Sequence, residues 1–456
     1  MAYLIITVFL LFIYAVKPSW LMLSWIILIP LLGPIIIPFI GITDSETALQ
    51  FLWLLWGVYN RAFILIILFL ILFKKRKFPG NILLFIKPWV ILAVYFVIHN
   101  LITHFDISII YQNVIGALYA SLPMMVMILD PKTRPNITYF FGVIVLILII
   151  QLVMIPFNME GIIAYPIRYQ EREYVQMEMG LVSGTFTRSN AMADFVSIAY
   201  LFFAVDYFSR RKLKSWFFII ISITCFVLMF LSGSKMPIVS AVIALALCVI
   251  LFKRQYILPI CSVFAVAIVM ILVSWKSIEE STNDYPGVDR IVRGMTNFIE
   301  SKQGKGEDDS TVKLSSHLID QYLMESPLIG CGYSYKGNER AYPLRFNSSF
   351  NLTLLKSDAT LALNLVEFGV LGLMLYLFYY FSLLKYSFQF LITKNKVKVL
   401  LVIFIFFLLF SITEGGLFNR ENYIIIFSYI FALQRYNEEN MLTTSYAQTV
   451  NHYSNI

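Results

Sequence analysis

Few side chains in this chain can do chemistry, and they are not scattered. Arg188 and Asn190 open an apolar run, and Asp194 lies one helical turn beyond Asn190 on the same face. Ser232-Gly233-Ser234-Lys235 joins two further runs. Arg290, Arg293, His317, Arg340 and Arg345 fall in the longest polar stretch. Asp358 stands at its end, and Asn364 and Glu367 follow in the next apolar run. Arg168 and Arg172 lie in a shorter polar stretch, and Glu414, Asn419 and Arg420 in a turn near the end. An arginine fork holds a phosphate or diphosphate bidentately and keeps its charge. A carboxylate or histidine beside it can take a proton from an attacking hydroxyl. Gathered at one depth, these residues would form a site for an anionic, lipid-linked substrate.

Each residue also has a simpler reading. A loop arginine is commonly solvated or bound to lipid phosphate. Asp194 and Glu367 stand apart, because an ionisable group inside an apolar run is costly and usually faces a cavity or a partner. Arg61 sits in an apolar run whose start is ambiguous. His99 and His104 close another run and read as interface residues rather than catalysts. The Trp and Tyr residues near the ends of runs read as interface anchors.

The elements that must position these residues follow from composition. The chain has 456 residues, of which 59% are hydrophobic and 14% charged. That balance excludes a soluble globule and fits a multi-spanning membrane protein. A span needs about 20 apolar residues. Apolar runs occur at 2–16, 20–40, 51–73, 88–105, 107–129, 137–156, 186–208, 215–231, 237–252, 256–274, 360–383, 397–413 and 422–434, which gives 12 or 13 spans. The expected fold is therefore an all-α integral membrane protein. Residues 1–275 carry the N-terminal spans, 276–357 one large loop, 358–434 the C-terminal spans and 435–456 a tail. The first run lacks a basic leader and a small-residue cleavage site and reads as a retained helix.

The net charge of +8 comes from clusters between runs. Lys17, Lys74 to Lys77, Lys132 with Arg134, Arg210 to Lys214, Lys253-Arg254 and Lys394 to Lys398 all fall on one side if the spans alternate. Such clusters mark the cytoplasmic face, not nucleic-acid binding. The tail then lies inside, and the stretches 157–185 and 276–357 lie outside. The large loop, Lys276 to Ser357, spans 82 residues with ten basic and eleven acidic side chains. Apolar residues at 318, 319, 322 and 323 predict a short amphipathic helix that starts at Ser315-Ser316 and stops at Ser326-Pro327. Lys302 to Asp309 reads as a mobile tip. The four cysteines show no metal-type spacing, and Cys331 is alone in the loop. No Walker, G-x-G-x-x-G or zincin motif is present, so no cofactor or metal is expected.

Four segments, taken in order, resemble those of the O-antigen ligase/polymerase superfamily, which includes the Wzy-type polymerases. Gly184-Thr185-Phe186-Thr187-Arg188-Ser189-Asn190-Ala191-Met192-Ala193 is similar to its G-x-F-x-x-x-N-x-x-A helix start. Leu231-Ser232-Gly233-Ser234-Lys235 resembles its S-G-S-R turn, with Lys235 where arginine is usual. Ser326-Pro327-Leu328-Ile329-Gly330-Cys331-Gly332-Tyr333 is similar to its P-L-x-G-x-G element. Leu363-Asn364-Leu365-Val366-Glu367-Phe368-Gly369-Val370-Leu371-Gly372 resembles its L-x-x-x-E-x-G-x-x-G helix. The four cover roughly residues 180–375. Where the family often has an H-N pair before the last helix, this chain reads Ser357-Asp358-Ala359. Where arginine often starts the helix before P-L-x-G, it has His317. Both departures favour a polymerase over a ligase.

The resemblance implies a metal-independent glycosyltransferase of the GT-C-like class in a bacterial plasma membrane. Its donor would be a glycan on undecaprenyl diphosphate, and its acceptor a hydroxyl of another lipid-linked repeat unit. On that reading Arg188, Lys235, Arg340 and Arg345 bind the diphosphate, and Arg290 acts on the same group as it leaves. Asp358 or His317 is the base, while Asn190, Asp194 and Glu367 order the cavity. Membrane lipid and a chain-length regulator are the other implied partners; nucleic acid is not one. A ligase that passes glycan to a different acceptor is the alternative. A lipid-linked sugar transporter or flippase is less favoured, since repeat symmetry and spans broken at the midplane are not evident in the sequence.

Overall fold

An apolar run inside a bilayer must satisfy its own backbone, and a helix does so within one segment. The computed structural model follows that rule. It describes residues 2–28, 66–67, 69–73, 83–103, 107–159, 182–186, 189–210, 213–256, 291–292, 326–330, 360–389, 391, 395–411 and 422–454. No strand occurs among the described residues. The helices are α1 (Ala2–Val16), α2 (Leu83–Thr103), α3 (Ile107–Leu129), α4 (Ile137–Met159), α5 (Ser189–Arg210), α6 (Ser215–Leu231), α7 (Lys235–Phe252), α8 (Thr360–Gln389), α9 (Lys396–Phe410) and α10 (Asn422–Ser454). Among the described residues, four helices are long and apolar enough to cross a membrane: those at Ile137–Phe157, Ser189–Arg210, Lys235–Phe252 and Asn364–Gln389. The protein is an all-α membrane protein. The expected span at 256–274, and much of those at 20–40 and 51–73, lie outside the described residues.

Helix α5 is the interior post, buried almost continuously from Met192 to Asp206. Helices α6, α7 and α9 pack around it. Ser197 on α5 donates its hydroxyl to the Pro237 carbonyl of α7 at 3.0 Å, which fixes the register of the pair. Pro237 stands in the first turn of α7, where its missing N–H would have had no helical partner. Helix α10 packs on α3 and α4, and Tyr429 stacks on Phe202 with ring centroids 4.5 Å apart. Helix α8 packs on α2, and α2 on α3. Buried polar tips in this second group find backbone acceptors. Tyr379 donates to the Ala117 carbonyl at 2.7 Å, and Trp89 to the Val114 carbonyl at 2.9 Å.

The two ends of the bundle differ in chemistry. At one end the basic clusters meet each other. Arg134 donates through Nε to the Met127 carbonyl at 3.1 Å and pairs with Glu438 at 3.4 Å. Arg435 reaches the carbonyl of Arg134 at 3.0 Å. Arg210 pairs with Asp206 and lies over the Tyr436 ring. Burial pulls the pKa of Arg134 down and the Glu438 carboxylate pushes it back, yet a guanidinium starts so high that it stays charged. Helix α10 continues unbroken to Ser454, and its residues turn from buried to exposed after Gln434. The described parts of the glycine-bearing segments, 182–186, 232–234 and 326–330, lie at the other end. There the Val182 N–H donates to the Leu231 carbonyl at 3.2 Å, and the Leu361 N–H to the Ser411 carbonyl at 3.0 Å.

Candidate functional site

Helix α8 is interrupted. Gly369 has φ 65 and ψ −175, a conformation essentially closed to any residue with a Cβ. The break divides α8 into a short first part that ends in Glu367-Phe368 and a longer second part that begins at Val370. Each broken end exposes backbone groups that need partners. The partners come from a distant part of the chain. Residues Ser326–Gly330 form a turn closed by the Gly330 N–H donating to the Ser326 carbonyl at 2.8 Å. That turn offers its carbonyls to the second part of α8. Val370 N–H donates to Pro327 at 3.0 Å and Leu371 N–H to Leu328 at 3.1 Å.

The two backbones touch, and glycine makes the contact feasible. A Cβ on Gly330 would lie 2.6 Å from the Glu367 carbonyl oxygen, and one on Gly369 would fall on the Leu328 carbonyl and 2.6 Å from the Gly330 nitrogen. P-L-x-G and E-x-G are thus two halves of one joint.

Helix α2 satisfies the other side of the break. Tyr95 donates its hydroxyl to the Phe368 carbonyl. Gly372 leaves the room for this, since a Cβ there would meet the Tyr95 ring at 2.7 Å. His99 places Nε2 at 2.7 Å from the Ile329 carbonyl, with the Glu367 carbonyl also beside it. A carbonyl can only accept, so Nε2 carries the proton. The imidazole stacks on Tyr95 at 5.5 Å and meets the Phe368 ring edge-on at 5.3 Å. Phe96 closes the group against Phe368 and Tyr376, both at 5.0 Å.

A second polar knot lies where α4, α5, α6 and α7 come together. Gln151, fully buried in α4, accepts from the Thr185 N–H at 2.8 Å and donates to the Thr185 hydroxyl at 2.9 Å. This ties down the segment 182–186 that leads into α5. The Ser232-Gly233-Ser234 turn closes on itself. Ser232 donates its hydroxyl to the Met229 carbonyl at 2.7 Å and accepts from the Ser234 N–H at 3.2 Å. The four glycines with positive φ among the described residues are Gly184, Gly233, Gly330 and Gly369, one from each segment that carried the resemblance.

Of the residues expected to act in the site, four lie among those described, and Asn364 of α8, half-buried, lies there as well. Asn190 is the second residue of α5 and half-buried, and Asp194 is half-buried one turn on. Lys235 opens α7, half-buried, on the helix that packs against α5. Glu367 is buried, the second residue before the α8 break. Asn190, Asp194 and Lys235 therefore share one packed pair of helices, while Glu367 belongs to the joint with the large loop. Arg188, Arg290, His317, Arg340, Arg345 and Asp358 lie outside the described residues, as do Arg61, His104, the predicted 315–324 helix and the 302–309 tip. The two residues after Arg290, Ile291 and Val292, are buried.

Two expectations change and two residues are new. Tyr379, Tyr380 and Tyr423, near the ends of their runs, are buried in the core rather than interface anchors. His99 is only 3% exposed and bonded to the large-loop turn, so it is not an interface residue. The reason is tertiary: α8 and the loop turn cover the end of α2. Gln151 and Tyr95 were not singled out. A lone amide in the 137–156 run was the available signal for Gln151. Nothing distinguished Tyr95 from an interface anchor.

In this all-α membrane protein the Ser326–Gly330 turn of the large loop is seated on a broken helix, with Glu367 buried beside the break. Residues 220–377, about a third of the chain, match the family described as O-Antigen ligase, which supports the O-antigen ligase/polymerase superfamily and suggests a glycosyltransferase-like enzyme. The match runs from α6 into α8 and includes the Ser232 turn, the Ser326–Gly330 turn and the break at Gly369, but not the Gly184 segment. A comparison with curated proteins gives no match.

Proposed function

We propose that the protein is a polymerase joining undecaprenyl-diphosphate-linked oligosaccharide repeat units into a surface polysaccharide on the outer face of a bacterial plasma membrane. The observation that carries this reading is the joint between Ser326–Gly330 and Gly369. Within the matched region, it ties the large loop to the helix that bears Glu367. Such a joint gives a long polar loop a fixed seat at the membrane surface, where a lipid-linked donor presents its diphosphate.

The reaction needs no metal. The acceptor hydroxyl gives its proton to Asp358 or His317. Its oxygen forms a bond to the anomeric carbon from the face opposite the diphosphate, with inversion. The bond from that carbon to the diphosphate oxygen breaks, and the electron pair leaves with undecaprenyl diphosphate. Arg290, helped by Arg188, Lys235, Arg340 and Arg345, stabilises the negative charge that develops there. Asn190, Asp194 and Glu367 order the cavity. The large loop lies outside the cell and the basic end inside. A separate chain-length regulator is an expected partner.

A ligase is the second reading, favoured by the description of the matched family. Ser357-Asp358-Ala359, in place of the H-N pair, weighs against it. The test is the size distribution of surface glycan, together with the lipid-linked pool, in cells lacking the gene. Loss of the long-chain ladder with single repeat units accumulating on lipid is the expected result. Long polymer stranded on lipid would mean a ligase. Single units held on the inner leaflet would mean a transporter, and an unchanged profile would reject all three.

A further inference from the structure

The joint between loop and helix has a third member that the proposed chemistry does not use. We propose that His99 is a positioning residue, a latch buried at the end of α2 that holds the large-loop turn against the α8 break and so sets where the loop and Glu367 stand relative to each other. The role rests on the polymerase reading; the latch itself does not.

The case begins with the carbonyls of the turn. Val370 and Leu371 bond those of Pro327 and Leu328, and the next carbonyl is that of Ile329. It takes its hydrogen bond from His99 Nε2 at 2.7 Å. The side chains of Leu328 and Ile329 are exposed. Among the described residues the turn is held by backbone bonds, with α8 on one side and His99 on the other.

Histidine suits this position for two reasons. Its ring nitrogen donates at a fixed direction, and its flat face fills the slot between Tyr95 and Phe368. Phe368 in turn is the residue between Glu367 and the break. One side chain thus touches both the loop turn and the first part of α8. A hydrogen bond that ties two packed segments together is costly to lose when its donor is removed and the carbonyl is left facing an aromatic ring.

Two substitutions separate the donor from the ring. His99→Phe keeps a flat aromatic group and removes the donor. His99→Gln removes the ring and keeps an N–H at similar reach. The first readout is the rate at which a short bifunctional thiol reagent joins Leu328→Cys to Leu371→Cys in membranes, with Cys331 changed to Ser. The second is the surface glycan ladder of the same cells, with the amount of protein in the membrane fraction as control. In His99→Phe, a cross-linking rate several-fold lower and loss of the longest chains at undiminished protein level are expected. In His99→Gln both should largely return. A His99→Phe protein that cross-links at the parent rate would overturn the latch. Slower cross-linking with a native ladder would overturn the positioning role, provided that deleting the gene removes the ladder. If the deletion leaves the ladder intact, the polymerase reading fails instead, and the cross-linking rate alone decides the latch.

Discussion

At the scale of single residues, the positions that matter most for architecture carry no functional group. Gly369 has to adopt a backbone conformation that other residues avoid, and it has to let the Leu328 carbonyl approach where a Cβ would stand. Gly369→Ala combines strain with overlap and should destabilise the protein by at least about 3 kcal/mol. Val370→Ala, next to it but 41% exposed, should cost less than about 0.5 kcal/mol. Thermal unfolding of the detergent-solubilised protein followed by tryptophan fluorescence compares the two. Arg290 is the opposite case, a charge expected to act on the leaving diphosphate. Arg290→Ala should remain in the membrane at normal level and lose long-chain glycan. Arg290→Lys, which keeps the charge but not the fork, should recover only part of it. Native chain length in Arg290→Ala would remove that residue from the site.

At the scale of elements, two interruptions of regular backbone among the described residues are each completed by another segment. The break in α8 is filled by the loop turn from one side and by Tyr95 and His99 of α2 from the other. The entry into α5 is held the same way by Gln151 of α4. Removing that amide orphans the Thr185 N–H and frees the segment that leads to Arg188. Interhelical hydrogen bonds in membranes are individually modest, so Gln151→Leu should cost about 1–2 kcal/mol. Its effect on glycan length should exceed what that loss of stability alone produces. A variant of equal instability elsewhere, such as Tyr379→Phe at the α3–α8 contact, is the comparison; equal ladders in the two would show that the α5 entry has no special role.

At the scale of the whole molecule, the two ends of the bundle differ in chemistry. Arg134, Arg210 and Arg435 meet around the polar part of α10, and the described glycine-bearing segments lie at the opposite end. With the basic end in the cytoplasm, Lys132→Cys and Lys214→Cys should resist a membrane-impermeant maleimide in intact cells. Gly304→Cys, in the large loop, should react at once. The reverse pattern would invert the topology and place the joint, and any chemistry there, on the inner leaflet.

The sequence by itself determined that this is a membrane bundle of helices, because apolar runs of spanning length leave the backbone no alternative. It also marked four short segments as belonging together, and a polar loop as their neighbour. It could not show what the glycines in those segments do. Gly330 and Gly369 are 39 positions apart, and only the packing of loop on helix turns their missing side chains into a contact. His99 illustrates the same limit. From the chain alone, a histidine at the end of an apolar run has water or lipid headgroups as its natural surroundings. The tertiary structure puts a carbonyl from residue 329 there instead, and a long-range hydrogen bond of that kind leaves no trace in local periodicity or composition.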